Sequence, residues 1–135
     1  MPKPGLAARR AALDLVNGVR IGHRALSELP VPETLPPEER ARATRLAAAA
    51  LRWGARADRM LGPHLRQRPP EEVLNLLRLG TVELCVEGSA PHGVVDAAVT
   101  LAKGDPAMRR QAGLVNAVLR RVSEEAPKWE TLPVP

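Results

Sequence analysis

The 135-residue chain contains two tryptophans, Trp53 and Trp129, and neither phenylalanine nor tyrosine. RRM sheets, OB-folds and cold-shock domains stack bases on aromatic rings, so those architectures are excluded. A β-sandwich is disfavoured as well, because strands draw on aromatic and β-branched side chains. Ala, Leu and Arg dominate instead, which is the composition of helices. A chain of this length is expected to form one domain and to bury roughly two-thirds of its surface. Its hydrophobic fraction of 44% and charged fraction of 26% are those of a globular protein. The longest apolar run, Leu46 to Leu51, falls far short of the ~20 residues that cross a bilayer. No signal-like apolar core follows Met1, and the single cysteine, Cys85, rules out an intrachain disulfide. A reduced, cytoplasmic setting without membrane contact is expected.

The charge is basic, +5 overall, and seventeen of the twenty basic residues are Arg. A GC-rich genome accounts for part of that ratio, but not for where the charge sits. Residues 1–68 carry a net +7 and residues 69–135 a net −2. Between 40 and 68 there are eight arginines and one acid, Asp58. A localised basic region is the electrostatic footprint of a polyanion partner.

Prolines divide the chain. Pro2 and Pro4 precede a first helix in which Leu6, Leu13 and Val16 share a face. A short turn or helix is expected around His23–Leu29, then an extended connection through Pro30, Pro32 and Pro36. Pro37 with Glu38 and Glu39 is a helix start, as is Pro70 with Glu71 and Glu72. Ala43, Leu46, Ala50 and Trp53 line the second helix. Ala57, Leu61 and Leu65 line a shorter third. Val73, Leu76, Leu77, Gly80 and Leu84 give the most apolar face, so this helix is predicted to be central. Pro91 is expected to open the fifth helix and Pro106 the last, with Val115, Val118, Leu119 and Val122 inward. The spacing predicts an all-α bundle of six to seven helices, with small residues such as Gly80 letting axes approach closely.

No constellation in the chain carries catalysis. His23, His64 and His92 lack helical i, i+4 partners, and no metal site is expected. Glycine-rich phosphate loops, dinucleotide fingerprints and nucleophile elbows are absent. Cys85 lies in an apolar run, where a thiol packs rather than reacts. The adjacent carboxylates Glu38-Glu39, Glu71-Glu72 and Glu124-Glu125 diverge on a helix. What remains is basic: Arg9 and Arg10 in the first helix, Arg52, Arg56 and Arg59 at i, i+4 and i+7, and Arg120-Arg121 at the end of the last helix.

The segment from Gln111 to Arg121, Gln-Ala-Gly-Leu-Val-Asn-Ala-Val-Leu-Arg-Arg, resembles the closing helix of NusB-type RNA-binding domains. Arg9 with Ala12, Leu15 and Leu26, Leu46 to Leu61, Leu77 to Gly80, and Pro91-His92 with Leu101 to Lys103 resemble the same family in order. That resemblance covers about residues 6–125 and implies two packed helical subbundles. The domain is expected to occupy 1–125. Residues 126–135 are expected to be a proline-rich linker towards a catalytic domain outside these residues. Two branches of the family are implied as alternatives. One is a free-standing antitermination factor that binds boxA-type RNA with a ribosomal protein partner. The other is the N-terminal domain of Sun/RsmB-type 16S rRNA cytosine-C5 methyltransferases, which use S-adenosylmethionine and a Cys nucleophile in a separate domain. Leu51-Arg52, Leu119-Arg120 and Pro91-His92-Gly93 resemble the second branch. The resemblance then implies a non-catalytic RNA-binding role, with Arg9, Arg10, Arg52, Arg56, Arg59 and Arg120 as phosphate contacts. The same arginines serve an alternative role, docking the chain's own catalytic domain. Asn116, Gly80 and Pro91 are expected to be structural, Asn116 by hydrogen-bonding loop backbone.

Overall fold

A computed structural model describes residues 5–133. Six α-helices follow in chain order: α1 Leu6–Arg20, α2 Pro37–Arg52, α3 Gly54–Leu61, α4 Glu71–Cys85, α5 Pro91–Lys103 and α6 Ala112–Glu125. Four short 3-10 turns, Leu26–Glu28, Gly62–His64, Arg109–Gln111 and Ala126–Thr131, fill the joints, and the described residues contain no strand. The all-α bundle expected from the spacing is the fold observed. Pro2 and Pro4 lie outside the described residues.

Local chemistry sets the helix starts. Pro36 caps α2 with Pro37 in its first turn beside Glu38 and Glu39, and Pro70 caps α4 before Glu71 and Glu72. Neither cap residue makes a side-chain hydrogen bond. Proline geometry and acids at the positive helix end therefore define both starts. At Gly5 the backbone enters α1 with φ +74°, and a Cβ there would lie 2.8 Å from Arg42 Nη1. Only glycine suits that corner.

Two expected boundaries move. The third helix stops at Leu61 rather than running through Leu65, because Pro63 has no N–H to extend it. Leu65 still packs against the core from the turn beyond. The last helix opens at Ala112, not Pro106. Asp105 organises the intervening turn: its Oδ1 accepts from Ala107 N at 2.9 Å, and its carbonyl accepts from Met108 N and Arg109 N. That turn drives Met108 into the core, 1% exposed.

Helix α4 touches each of the other five helices. Every residue from Val73 to Leu84 is buried, so the predicted central helix is central. The group α1–α3 packs around one side of it, the α5–α6 pair around the other. Gly80 explains how close α6 comes, since a Cβ at 80 would stand 2.8 Å from Leu119 Cδ1.

The stretch expected to be a linker packs against the bundle over its described residues. Residues 126–131 form a 3-10 turn, Trp129 is 5% exposed within the core cluster, and Leu132 packs against it. The folded unit therefore continues past 125. An indole has too much apolar surface to leave in water when it can be buried where this turn packs against α4 and α6.

Candidate functional site

The six arginines expected to contact phosphate divide sharply. Arg9 is buried, donating from Nε to Glu83 Oε1 at 2.6 Å and from Nη2 to Glu83 Oε2 at 2.9 Å. Arg42 adds a second cation, 3.8 Å from Glu83. Arg9 thus joins α1 to α4 and leaves the set of exposed cations. Its neighbour Arg10 is half-exposed and shared between Asp105 at 3.2 Å and Asp14 at 3.3 Å. Burial raises the pKa of Asp14 above its ordinary value, against the pull of Arg10.

Arg52, Arg56 and Arg59 do not sit on one continuous helix. The backbone breaks at Trp53, which ends α2 and caps α3. The break nevertheless brings Arg52 and Arg56 to an indole pair. Arg52 lies 5.1 Å from the Trp53 ring centre, and Arg56 lies 5.7 Å from Trp53 and 5.5 Å from Trp129. The two indoles meet edge to face at 6.2 Å. Arg56 Nη1 donates to the Trp129 carbonyl at 3.0 Å, and Arg59 Nη1 reaches the Pro133 carbonyl at 3.4 Å. Arg52 and Arg59 are exposed and Arg56 is half-buried. Among the described residues no carboxylate pairs with any of the three. Arg40 on α2 and Arg66 beyond α3 are likewise exposed without an acidic partner. The use of Arg56 to hold the tail has no local signal in the sequence.

Arg120 lies elsewhere, in a groove of about 530 Å³ between α5 and α6. Pro91, His92, Asp96, Asn116, Ser123 and Glu124 share its walls. Pro91 opens α5 as expected. Asn116 is half-exposed, and its amide makes no hydrogen bond among the described residues, so the expected tie to loop backbone is not formed. The carboxylates of Asp96 and Glu124 make this groove mixed in charge, unlike the α2–α3 face.

The remaining titratable groups build structure. Arg78, 1% exposed, forks onto Asp58 at 2.7 and 2.9 Å and donates to Glu71 Oε1 at 3.1 Å and Asn75 Oδ1 at 2.9 Å. Asn75 passes the network on to Asn17 at 2.8 Å. His64 pairs with Glu125 at 2.5 Å, tying the turn after α3 to the end of α6. Burial pushes the Cys85 thiol up to about 11, which leaves it protonated and unreactive near neutrality. Among the described residues no group of three His, Cys, Asp or Glu side chains converges to hold a metal ion. Among the described residues no helix is long and apolar enough to cross a membrane.

This arrangement defines a helical bundle wrapped on one buried helix and carrying exposed guanidinium groups. Residues 6–124 match the NusB family, and the chain belongs to it. Among solved structures it is similar to NusB from T. maritima, with a TM-score of 0.79 at 23% identity, over 98% of this chain and 100% of that one. That likeness is one of fold. No curated protein matches the chain.

Proposed function

We propose that the chain is a non-catalytic RNA-binding domain that holds RNA by its phosphates on the α2–α3 face. The observation that carries this reading is the pair Arg52 and Arg59, exposed and without a carboxylate partner among the described residues. An arginine fork left free of acids is suited to paired hydrogen bonds with phosphate oxygens. Arg10 contributes less because two carboxylates already share it. Arg120 is a separate contact in the α5–α6 groove.

We infer further that the RNA is ribosomal, 16S rRNA, and that the domain serves an S-adenosylmethionine-dependent cytosine-C5 methyltransferase. Leu51-Arg52, Leu119-Arg120 and Pro91-His92-Gly93 support this branch. Cys85 does not fit the nucleophile of such an enzyme, since its thiol is half-buried and its pKa is raised. The methyl donor and the nucleophile would both belong to a separate domain. A second reading has one observation in its favour: the fold match spans the whole of T. maritima NusB. On that reading the chain acts alone in antitermination, with boxA-type RNA and a ribosomal protein.

Charge reversal tests the shared core of both readings. Arg52→Glu with Arg59→Glu is expected to weaken RNA binding on the order of 100-fold, with the helical circular dichroism unchanged. The slope of log affinity against log salt should become shallower by about 0.7–0.9 for each lost phosphate contact. Salt-independent binding by the unaltered chain would sink the phosphate mode. Competition between a 16S rRNA fragment and boxA-type RNA then separates the two branches.

A further inference from the structure

We propose that residues 126–133 form a displaceable strap over a second, covered element of the arginine face: the Trp53 ring, which takes a base of single-stranded RNA once the strap lifts. The proposal rests on the RNA-binding reading and deepens it.

The strap is tied down on that face in three ways. Arg56 donates to the Trp129 carbonyl and lies against both indoles. Arg59 reaches the Pro133 carbonyl. Trp129 meets Trp53 edge to face. Each tie has a stronger or equal counterpart in RNA. A guanidinium gains more from a charged phosphate than from a neutral carbonyl. Trp53 can exchange an edge-to-face indole for a stacked base, and stacking of this kind tolerates any sequence. Lifting the strap would leave one aromatic platform flanked by Arg52 and Arg56, with Arg59 released from the Pro133 carbonyl, the combination of ring and cation that single-stranded nucleic acid uses.

The strap itself is lightly built. It is a 3-10 turn, whose hydrogen-bond geometry is poorer than that of an α-helix. Pro127, Lys128, Glu130, Thr131 and Pro133 are exposed. Trp129 is buried in the core cluster with Leu132 packed half-buried against it, and that burial keeps the strap closed when no RNA is present.

The two tryptophans make the motion measurable, since no other residue fluoresces in their range. Trp53→Phe keeps an aromatic platform and leaves Trp129 as the sole reporter. Saturating this variant with single-stranded RNA of about twelve nucleotides, a length within one binding site of this kind, is expected to raise acrylamide quenching of Trp129 about two-fold. Trp129→Ala, checked for native helix content, is expected to bind the same RNA about five-fold tighter than the unaltered chain. RNA binding with unchanged Trp129 quenching would overturn the strap and leave the RNA-binding reading standing. Equal or weaker binding by a folded Trp129→Ala protein would do the same. If Trp129→Ala fails to fold, the quenching result on Trp53→Phe decides alone. Absence of binding by every form would overturn both readings together.

Discussion

Arg9 and Arg78 inside the bundle, and Arg52 and Arg59 on its surface, are the same residue put to opposite uses. The interior pair is saturated. Arg9 is forked onto Glu83, and Arg78 onto Asp58 with further bonds to Glu71 and Asn75. The surface pair meets no acid among the described residues and touches only an indole face or a carbonyl. The difference lies in which acids are within reach. Glu83 on α4 meets Arg9 from α1, and Asp58 on α3 meets Arg78 from α4. Arg52 and Arg59 have no such acid beside them among the described residues and keep their charge for a partner.

Removing Arg9 should break the comparison most visibly. Arg9→Met leaves Glu83, 2% exposed at its side chain, with Arg42 at 3.8 Å as its nearest cation. Breaking a buried pair from one side costs about 3 kcal/mol or more. Denaturant unfolding should show that loss. Adding Glu83→Leu should recover most of it, because an apolar replacement of the whole pair is often neutral. Failure of the double variant to recover would mean that Arg9 stabilises the bundle through something other than its charge.

Arg78→Met should cost less, about 2 kcal/mol, although Arg78 is the more deeply buried. Asp58 is 39% exposed at its side chain and can turn to water, whereas Asn75 is fully buried and loses a partner. The cost is then roughly that of one unsatisfied buried amide. Asn75→Leu in the Arg78→Met background should return part of it, and a thermal melt would show whether it does.

Acid should loosen the same network more gently. For Glu71, burial works to raise the pKa, but hydrogen bonds from Arg78 and Arg68 outweigh it and hold the carboxyl below its ordinary 4.5. Glu125 is also lowered, first by the hydrogen bond with His64 and then by Lys128. A depressed carboxyl contributes stability that is complete above its unfolded pKa and is lost as pH falls through its folded value. Stability should therefore decline below about pH 4.5. Glu71→Gln should flatten that decline while lowering stability near neutrality. Asp14, whose pKa is raised, acts in the opposite sense and gains on acidification. A steeper acid decline in Glu71→Gln would contradict the assignment.

What could be read in the chain itself follows the same division. The helices were legible because their signals are local: Pro37 and Pro91 at starts, paired acids in first turns, apolar spacing on α4. The basic face was legible because eight arginines crowd residues 40–68. The pairing of Arg9 with Glu83 was not, since 74 residues separate the partners and nothing local marks either as buried. Arg78 was hidden the same way, inside an apolar run that reads as packing. The tail misled for a further reason. Its prolines suggest a linker, but Pro127 fits the first turn of a 3-10 helix, and that short helix buries the Trp129 indole.

The smallest expected effect is the most informative about the surface. Arg52→Gln with Arg59→Gln should leave folding stability within about 0.5 kcal/mol, the range of substitutions away from buried partners. Neither side chain is buried, neither ends a carboxylate pair, and the Arg52 contact with Trp53 is replaceable by the amide stem. If unfolding by urea instead shows a loss like that of Arg78→Met, these arginines hold the fold rather than a partner. Arg52 would then be needed to close α2 over Trp53, and Arg59 to hold the Pro133 carbonyl. A flat response in stability, set beside a large response in RNA affinity, is the signature of charge kept free for something outside the chain.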